Sequence, residues 1–120
     1  MARILLADDD AATRDLVQRA LATDGHHVIS TQDGAEALEQ LQAAPDGFDL
    51  LISDVQMPGV DGIELLEKAL QAAPGLRVIL MSGFVGELDR AQHLKDKIGR
   101  VITKPFSLEQ ARAVVREVLG

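Results

Sequence analysis

The chain has 120 residues, room for one hydrophobic core and too few for two domains. Its 19 acidic and 12 basic side chains leave a net charge of −7, which disfavours nucleic acid and anionic membrane surfaces as partners. With no cysteine, disulfides, thiol catalysis and sulfur-bound metal are excluded, and with three Phe and no Tyr or Trp there is little to stack on bases.

The elements alternate along the chain. Ile4 to Ala7 is an apolar run that predicts a buried strand, and Asp8-Asp9-Asp10 follows at once. Thr13 to Leu21 predicts a helix with Leu16, Val17, Ala20 and Leu21 along one face; Asp10 suits the cap that opens it. Val28 to Thr31 is a short strand, and Gly34 to Leu41 a helix with Ala37, Leu38 and Leu41 inward. Leu50 to Ser53 is a strand that delivers Asp54 at its end, followed by a turn at Pro58-Gly59. Gly62 serves the approach to a helix over Ile63 to Leu70, with Leu66 and Leu70 inward. Val78 to Met81, four apolar residues in a row, predicts a strand buried on both faces. Leu88 to Ile98 carries a weaker helical pattern, and Val101 to Thr103 is the last strand. Ser107 to Leu119 is the last helix, with Ser107 as N-cap and Gln110 at the capping-box position.

Five strand–helix repeats imply a parallel α/β sheet, covered on both faces, in a single domain over residues 1–120. The first apolar stretch is too short for a signal peptide or a membrane span. The absence of cysteine fits a reducing cytoplasm, and Met1 with the close fit to one domain favours a free-standing protein over a piece of a longer hybrid kinase.

Three strand ends each deliver charge: Asp8 and Asp9, then Asp54, then Lys104. On adjacent parallel strands these groups converge at one edge. Two or three carboxylates with one ammonium suit a divalent cation and a phosphoryl group. Plainer roles compete. Asp10 reads better as a helix cap than as a ligand. Asp8 and Asp9 as mere loop acids fit poorly with the placement of Asp54 and Lys104. His26, His27 and His93 have no acidic or histidine partner at a suitable spacing. Arg14 reads as a surface or phosphate-adjacent charge, and Phe48 and Phe106 as core.

Asp8-Asp9, Asp54 with Met57-Pro58-Gly59 and Asp61-Gly62, Ser82-Gly83, and Lys104-Pro105-Phe106 occur in that order over essentially the whole chain. Together they resemble the response-regulator receiver domain of two-component signalling, the CheY-like superfamily. The resemblance implies a flavodoxin-like five-stranded sheet of order 2-1-3-4-5. It implies that Asp54 accepts a phosphoryl group from a phosphohistidine, and that Lys104 and Ser82 contact the phosphoryl oxygens. It implies Mg²⁺ or Mn²⁺ held by Asp9, Asp54 and the backbone carbonyl of Gln56, with Asp8 acting through water. It implies a cis bond before Pro105. The implied partners are a histidine kinase or histidine phosphotransfer protein, and a downstream protein on the face of the fourth helix, last strand and last helix. Such a receiver is not an enzyme beyond its own phosphorylation and slow dephosphorylation.

The chain departs from the common receiver pattern at the switch. Receivers usually carry Tyr or Phe three residues before the lysine, where this chain has Val101. The hydroxyl residue is Ser82 instead of the commoner Thr, and Gly83-Phe84 follows it. This combination looks like CpdR-type stand-alone receivers and the receivers of hybrid histidine kinases. Gln56 and Phe84 fall at the positions that shape acyl-phosphate lifetime. Phe84 is either a mobile aromatic in place of Val101 or a cover over the pocket mouth. Two rival readings are a phosphorylation-silent scaffold and a magnesium-dependent phosphohydrolase. The intact Asp9, Asp54 and Lys104 set opposes the first. The second expects an Asp two residues past its nucleophile, where Gln56 stands.

Overall fold

The computed structural model describes residues 1–83 and 85–120, the side chains of Val85 and Glu87 excepted. Five strands, β1 (Arg3–Ala7), β2 (His27–Thr31), β3 (Leu50–Asp54), β4 (Arg77–Ser82) and β5 (Arg100–Thr103), form one sheet of order β2-β1-β3-β4-β5. Every neighbouring pair is parallel. Four α-helices, α1 (Ala11–Thr23), α2 (Gly34–Ala43), α3 (Gly62–Ala72) and α4 (Leu108–Leu119), and a 3₁₀ helix (Val85–Lys97) supply the crossovers and the final helix. The expected flavodoxin-like order is therefore the one found.

Period-two alternation splits the core into two layers. Ile4, Leu6, Leu50, Ile52, Ile79 and Met81 pack with Val17 and Leu21 of α1 and Val115 of α4. Leu5, Ala7, Leu51, Val78 and Leu80 point the other way, onto α2, α3 and the 3₁₀ helix. The central strands β1, β3 and β4 are apolar on both faces because helices cover both faces. Among the described residues no helix is long and apolar enough to cross a membrane.

Several local expectations need correction. Helix α1 begins at Ala11, not Thr13, because Asp10 caps it: its carboxylate accepts from the Ala12 N–H at 3.2 Å and from the Thr13 hydroxyl at 2.7 Å. Leu16 is 41% exposed, whereas Val17, Ala20 and Leu21 are buried. Those three fill the space over the sheet, and Leu16, on the flank of their stripe, turns to solvent. Phe48 is core, but Phe106 is only half-buried against the α1–α4 layer. The segment predicted as a weak helix over Leu88 to Ile98 winds as a 3₁₀ helix. Its inward residues Leu88, Ala91 and Leu94 recur every three positions, the 3₁₀ period.

Candidate functional site

Strand register brings the charged residues together. Ala7 lies opposite Ser53, Asp54 opposite Met81, and Ser82 opposite Thr103. Asp8, Asp54, Ser82 and Lys104 therefore leave the sheet at one carboxyl edge. Backbone bonds carry the alignment past the strand ends: Lys104 N–H donates to the Ser82 carbonyl at 2.7 Å, and Asp8 N–H to the Thr31 carbonyl at 3.2 Å. The Lys104–Pro105 bond is cis, as the resemblance implied.

The strand that carries Asp54 is clamped. The Ser53 hydroxyl donates to the Asp54 carbonyl at 2.9 Å, and Gly62 N–H donates to the Val55 carbonyl at 2.9 Å. Gly62 is pressed so closely here that a Cβ on it would stand 2.1 Å from the Asp54 carbonyl oxygen. The glycine expected at the approach to α3 is thus required by the backbone of Asp54.

Lys104 Nζ lies 2.9 Å from Asp54 Oδ2 and 3.4 Å from Asp8 Oδ2. Asp8, Asp9 and Asp54 each offer a carboxylate oxygen, and the three oxygens lie within 4.8 Å of one another. Asp8 is fully buried, Asp54 is 7% exposed and Asp9 faces solvent. Burial pushes the Asp8 carboxyl above its usual value, against the opposing pull of the Asp10 N–H and the Lys104 charge. Burial alone would lower Lys104, but its hydrogen bond to Asp54 and the charge of Asp8 outweigh that and hold it raised. Packed carboxylates with one ammonium among them have the donor chemistry of a hard divalent cation site.

A cleft of about 570 Å³ opens over this edge. Asp9, Asp54, Gln56 and Lys104 line it, as do Asp61 and Arg90. Gln56 is exposed on its wall. Ser82 is buried at the end of β4, and its neighbour Gly83 forms part of the wall. Val101 is half-buried in β5, opposite Leu80, and packs into the layer under the 3₁₀ helix. Phe84 lies outside the described residues. Arg14 donates from Nη1 to the Asp8 carbonyl at 2.7 Å, so it braces the acidic loop and is more than a surface charge.

Two contacts between the 3₁₀ helix and the α3 segment escaped the sequence. Arg90 Nη2 lies 2.9 Å from Asp61 Oδ2 at the cleft. His93 Nε2, expected to have no partner, meets Glu67 Oε1 at 3.2 Å. Both pairs join the 3₁₀ helix to the α3 segment across more than twenty residues of chain, beyond the reach of any local spacing rule.

The response regulator receiver domain family matches residues 4–116. The chain is 38% identical over 118 residues to the response regulator receiver protein CpdR of Brucella abortus (strain 2308), covering 98% of this chain and 94% of that protein. It is 34% identical over 117 residues to the response regulator MprA of Mycobacterium ulcerans (strain Agy99), spanning 98% of this chain but only 50% of that protein. The crystal structure of the receiver domain from hybrid histidine kinase CckA matches with a TM-score of 0.84 at 32% identity, over 98% of this chain and 99% of that one. CpdR and the hybrid-kinase receiver represent the subgroups to which the switch residues pointed. The chain belongs to the response regulator receiver domain family, the phosphoryl-accepting signalling modules of two-component systems.

Proposed function

We propose that Asp54 is the phosphoacceptor and that residues 1–120 form one cytoplasmic receiver unit. The observation that carries this reading is the placement of Lys104 against Asp54 at 2.9 Å within a cluster of three carboxylates. An Asp54 carboxylate oxygen attacks the phosphorus of a phosphohistidine on a histidine kinase or phosphotransfer protein. The new oxygen–phosphorus bond forms as the phosphorus–nitrogen bond breaks. Its electron pair returns to the imidazole, which leaves neutral because its other nitrogen holds a proton.

The carboxylates of Asp9 and Asp54 and the backbone carbonyl of Gln56 would hold Mg²⁺ or Mn²⁺, with Asp8 acting through water. When bound, the cation balances the negative charge of the carboxylates and of the transferring phosphoryl group. Lys104 then passes from the Asp54 carboxylate to a phosphoryl oxygen, as a compact charge on a flexible stem. Ser82 donates its hydroxyl to a second oxygen. Gln56 would orient water for slow hydrolysis, a role supported by its exposure on the cleft wall.

Output passes through a partner on the face of the 3₁₀ helix, β5 and α4. A groove of about 300 Å³ between Leu88, Ala91, Ile98 and Val101 supports this surface.

Treatment with acetyl phosphate and Mg²⁺, followed by intact-mass measurement, tests the acceptor. One phosphoryl group per chain is expected, and none in Asp54→Asn. An undiminished adduct in Asp54→Asn would sink the assignment. Absence of any adduct would favour the scaffold, and repeated turnover of varied phosphate esters would favour the phosphohydrolase.

A further inference from the structure

Asp61 is the N-cap of α3. Its Oδ1 accepts from the Ile63 N–H at 3.0 Å and the Glu64 N–H at 2.9 Å, and its Oδ2 accepts from Arg90 at 2.9 Å. One oxygen serves the helix and the other serves a guanidinium from a different element. Arg90 reaches in from the 3₁₀ helix, and its side chain lines the cleft that holds Asp54 and Lys104. The pair is open to water, with Arg90 61% and Asp61 27% exposed. Such pairs contribute little stability, so a stronger anion can displace one partner.

A second rung lies close by. His93, three residues on and one 3₁₀ turn away, meets Glu67 of α3. The 3₁₀ helix therefore leans on α3 through two exchangeable polar contacts as well as its apolar row. Charge in the cleft is unbalanced. Among the described residues, Lys104 and Arg90 on the wall face the carboxylates of Asp9, Asp54 and Asp61, with buried Asp8 against Lys104. A phosphoryl group on Asp54 adds further negative charge and three acceptor oxygens. Arginine, with five donors on a planar fork, suits those oxygens better than it suits one oxygen of a carboxylate whose other oxygen already caps a helix.

We infer that Arg90 is a second phosphoryl-binding cation, parked on Asp61 while Asp54 is bare and transferred to a phosphoryl oxygen once Asp54 is modified. The inference rests on the reading of Asp54 as acceptor. The two states differ in which anion holds Arg90, and that difference in contacts lets modification shift the 3₁₀ helix relative to α3.

The two partners of this pair predict opposite effects. Arg90→Gln removes the phosphoryl contact. Asp61→Asn removes only the competitor, since Asn caps a helix as well as Asp. The experiment titrates the whole chain with beryllofluoride in Mg²⁺, following backbone amides and the Arg90 Nε–H by NMR. Arg90→Gln should weaken binding about tenfold, the value of a charge-assisted hydrogen bond to an anion. Asp61→Asn should tighten it about threefold, the scale of an exposed ion pair. In the Arg90→Gln background Asp61→Asn should change nothing. The Arg90 Nε–H, assigned by its loss in Arg90→Gln, should shift on saturation. If both single variants weaken binding alike, the pair is a static brace and the inference falls while the acceptor reading stands. Binding unaffected by Arg90→Gln also overturns it. A native chain that binds no beryllofluoride, or one whose binding survives Asp54→Asn, removes the acceptor reading and this inference with it.

Discussion

Replacing Asp8 by Asn isolates the electrostatic cost of the acidic edge. Asp8 has no exposed surface, and its Oδ2 lies 3.4 Å from Lys104 Nζ. At an effective dielectric constant near 20, the attraction lost at that 3.4 Å distance is about 5 kcal/mol. The repulsion relieved against Asp54, within 4.8 Å, is at least about 3.5 kcal/mol. Against solvent-facing Asp9 it is about 1 kcal/mol, closer to the value in water. These charges nearly cancel, so desolvation decides. A buried carboxylate costs several kcal/mol, and an amide that keeps the Asp10 N–H bond on its oxygen costs less. The net expectation is that Asp8→Asn stabilises the metal-free fold by about 1–2 kcal/mol.

Thermal unfolding in chelator at neutral pH reads this as a rise in Tm of about 4–8 °C for a domain of this size. The pH dependence has a definite sign. The folded-state pKa of Asp8 is raised, so the native fold loses stability as pH climbs from the ordinary 3.8 through the folded value. Below 3.8 the residue is protonated in both states and carries no penalty. The advantage of Asn should therefore shrink on acidification. Asp9→Asn, at a solvated position, should give a smaller gain. An Asp8→Asn chain that melts below the native one in chelator would refute the reasoning, because it would mean that the Lys104 attraction outweighs burial.

Gly62→Ala should force the Asp54 backbone aside, since a Cβ 2.1 Å from the Asp54 carbonyl oxygen must open by more than about 1 Å to reach ordinary contact. A loss of about 3 kcal/mol in denaturant unfolding and about a hundredfold slower phosphorylation by acetyl phosphate are expected; a native phosphorylation rate would show that the acceptor strand is not clamped there. Leu21→Ala, at a fully buried site, should cost about 2–5 kcal/mol. Leu16→Ala should stay within about 0.5 kcal/mol in the same unfolding assay, and equal losses at the two positions would contradict the observed orientation of α1.

The fold was legible in the sequence where one physical rule dominates. Central strands are read from short apolar runs such as Val78 to Met81, because burial on both faces leaves no room for polar residues. The last helix is read from its capping box, and both halves of that box form: Ser107 Oγ accepts from the Gln110 N–H at 3.1 Å, and Gln110 Oε1 accepts from the Ser107 N–H at 2.7 Å. Leu16 and Phe106 were misplaced because apolar character says that a residue can be buried, not that space remains for it. The 3₁₀ helix was read as α-type because Leu88, Ala91 and Ile98 stand three and seven residues apart, which fits a period of 3.6, whereas the inward row is Leu88, Ala91 and Leu94, at a period of 3.0.

The candidate site divides along the same line. Asp8, Asp9, Asp54 and Lys104 were legible because the sheet places them. Once the strands are parallel and in order, the residue after each strand has nowhere else to go, and register alone brings Lys104 to Asp54 across fifty residues. Arg90 and Asp61 belong to helices, whose rotation and tilt are set by packing and not by a repeating ladder of bonds. Nothing local to Arg90 marks it: its row is a polar stretch with weak amphipathic character. Asp61 was visible only as part of the Asp61-Gly62 motif that carries the resemblance, with no role read for its carboxylate. The acidic edge of this cleft is thus written in strand ends, and the Arg90–Asp61 pair, which the inference above takes as the adjustable part, in contacts between helices. A receiver needs both: the first holds the acceptor still for chemistry, and the second must be able to move when that chemistry is done.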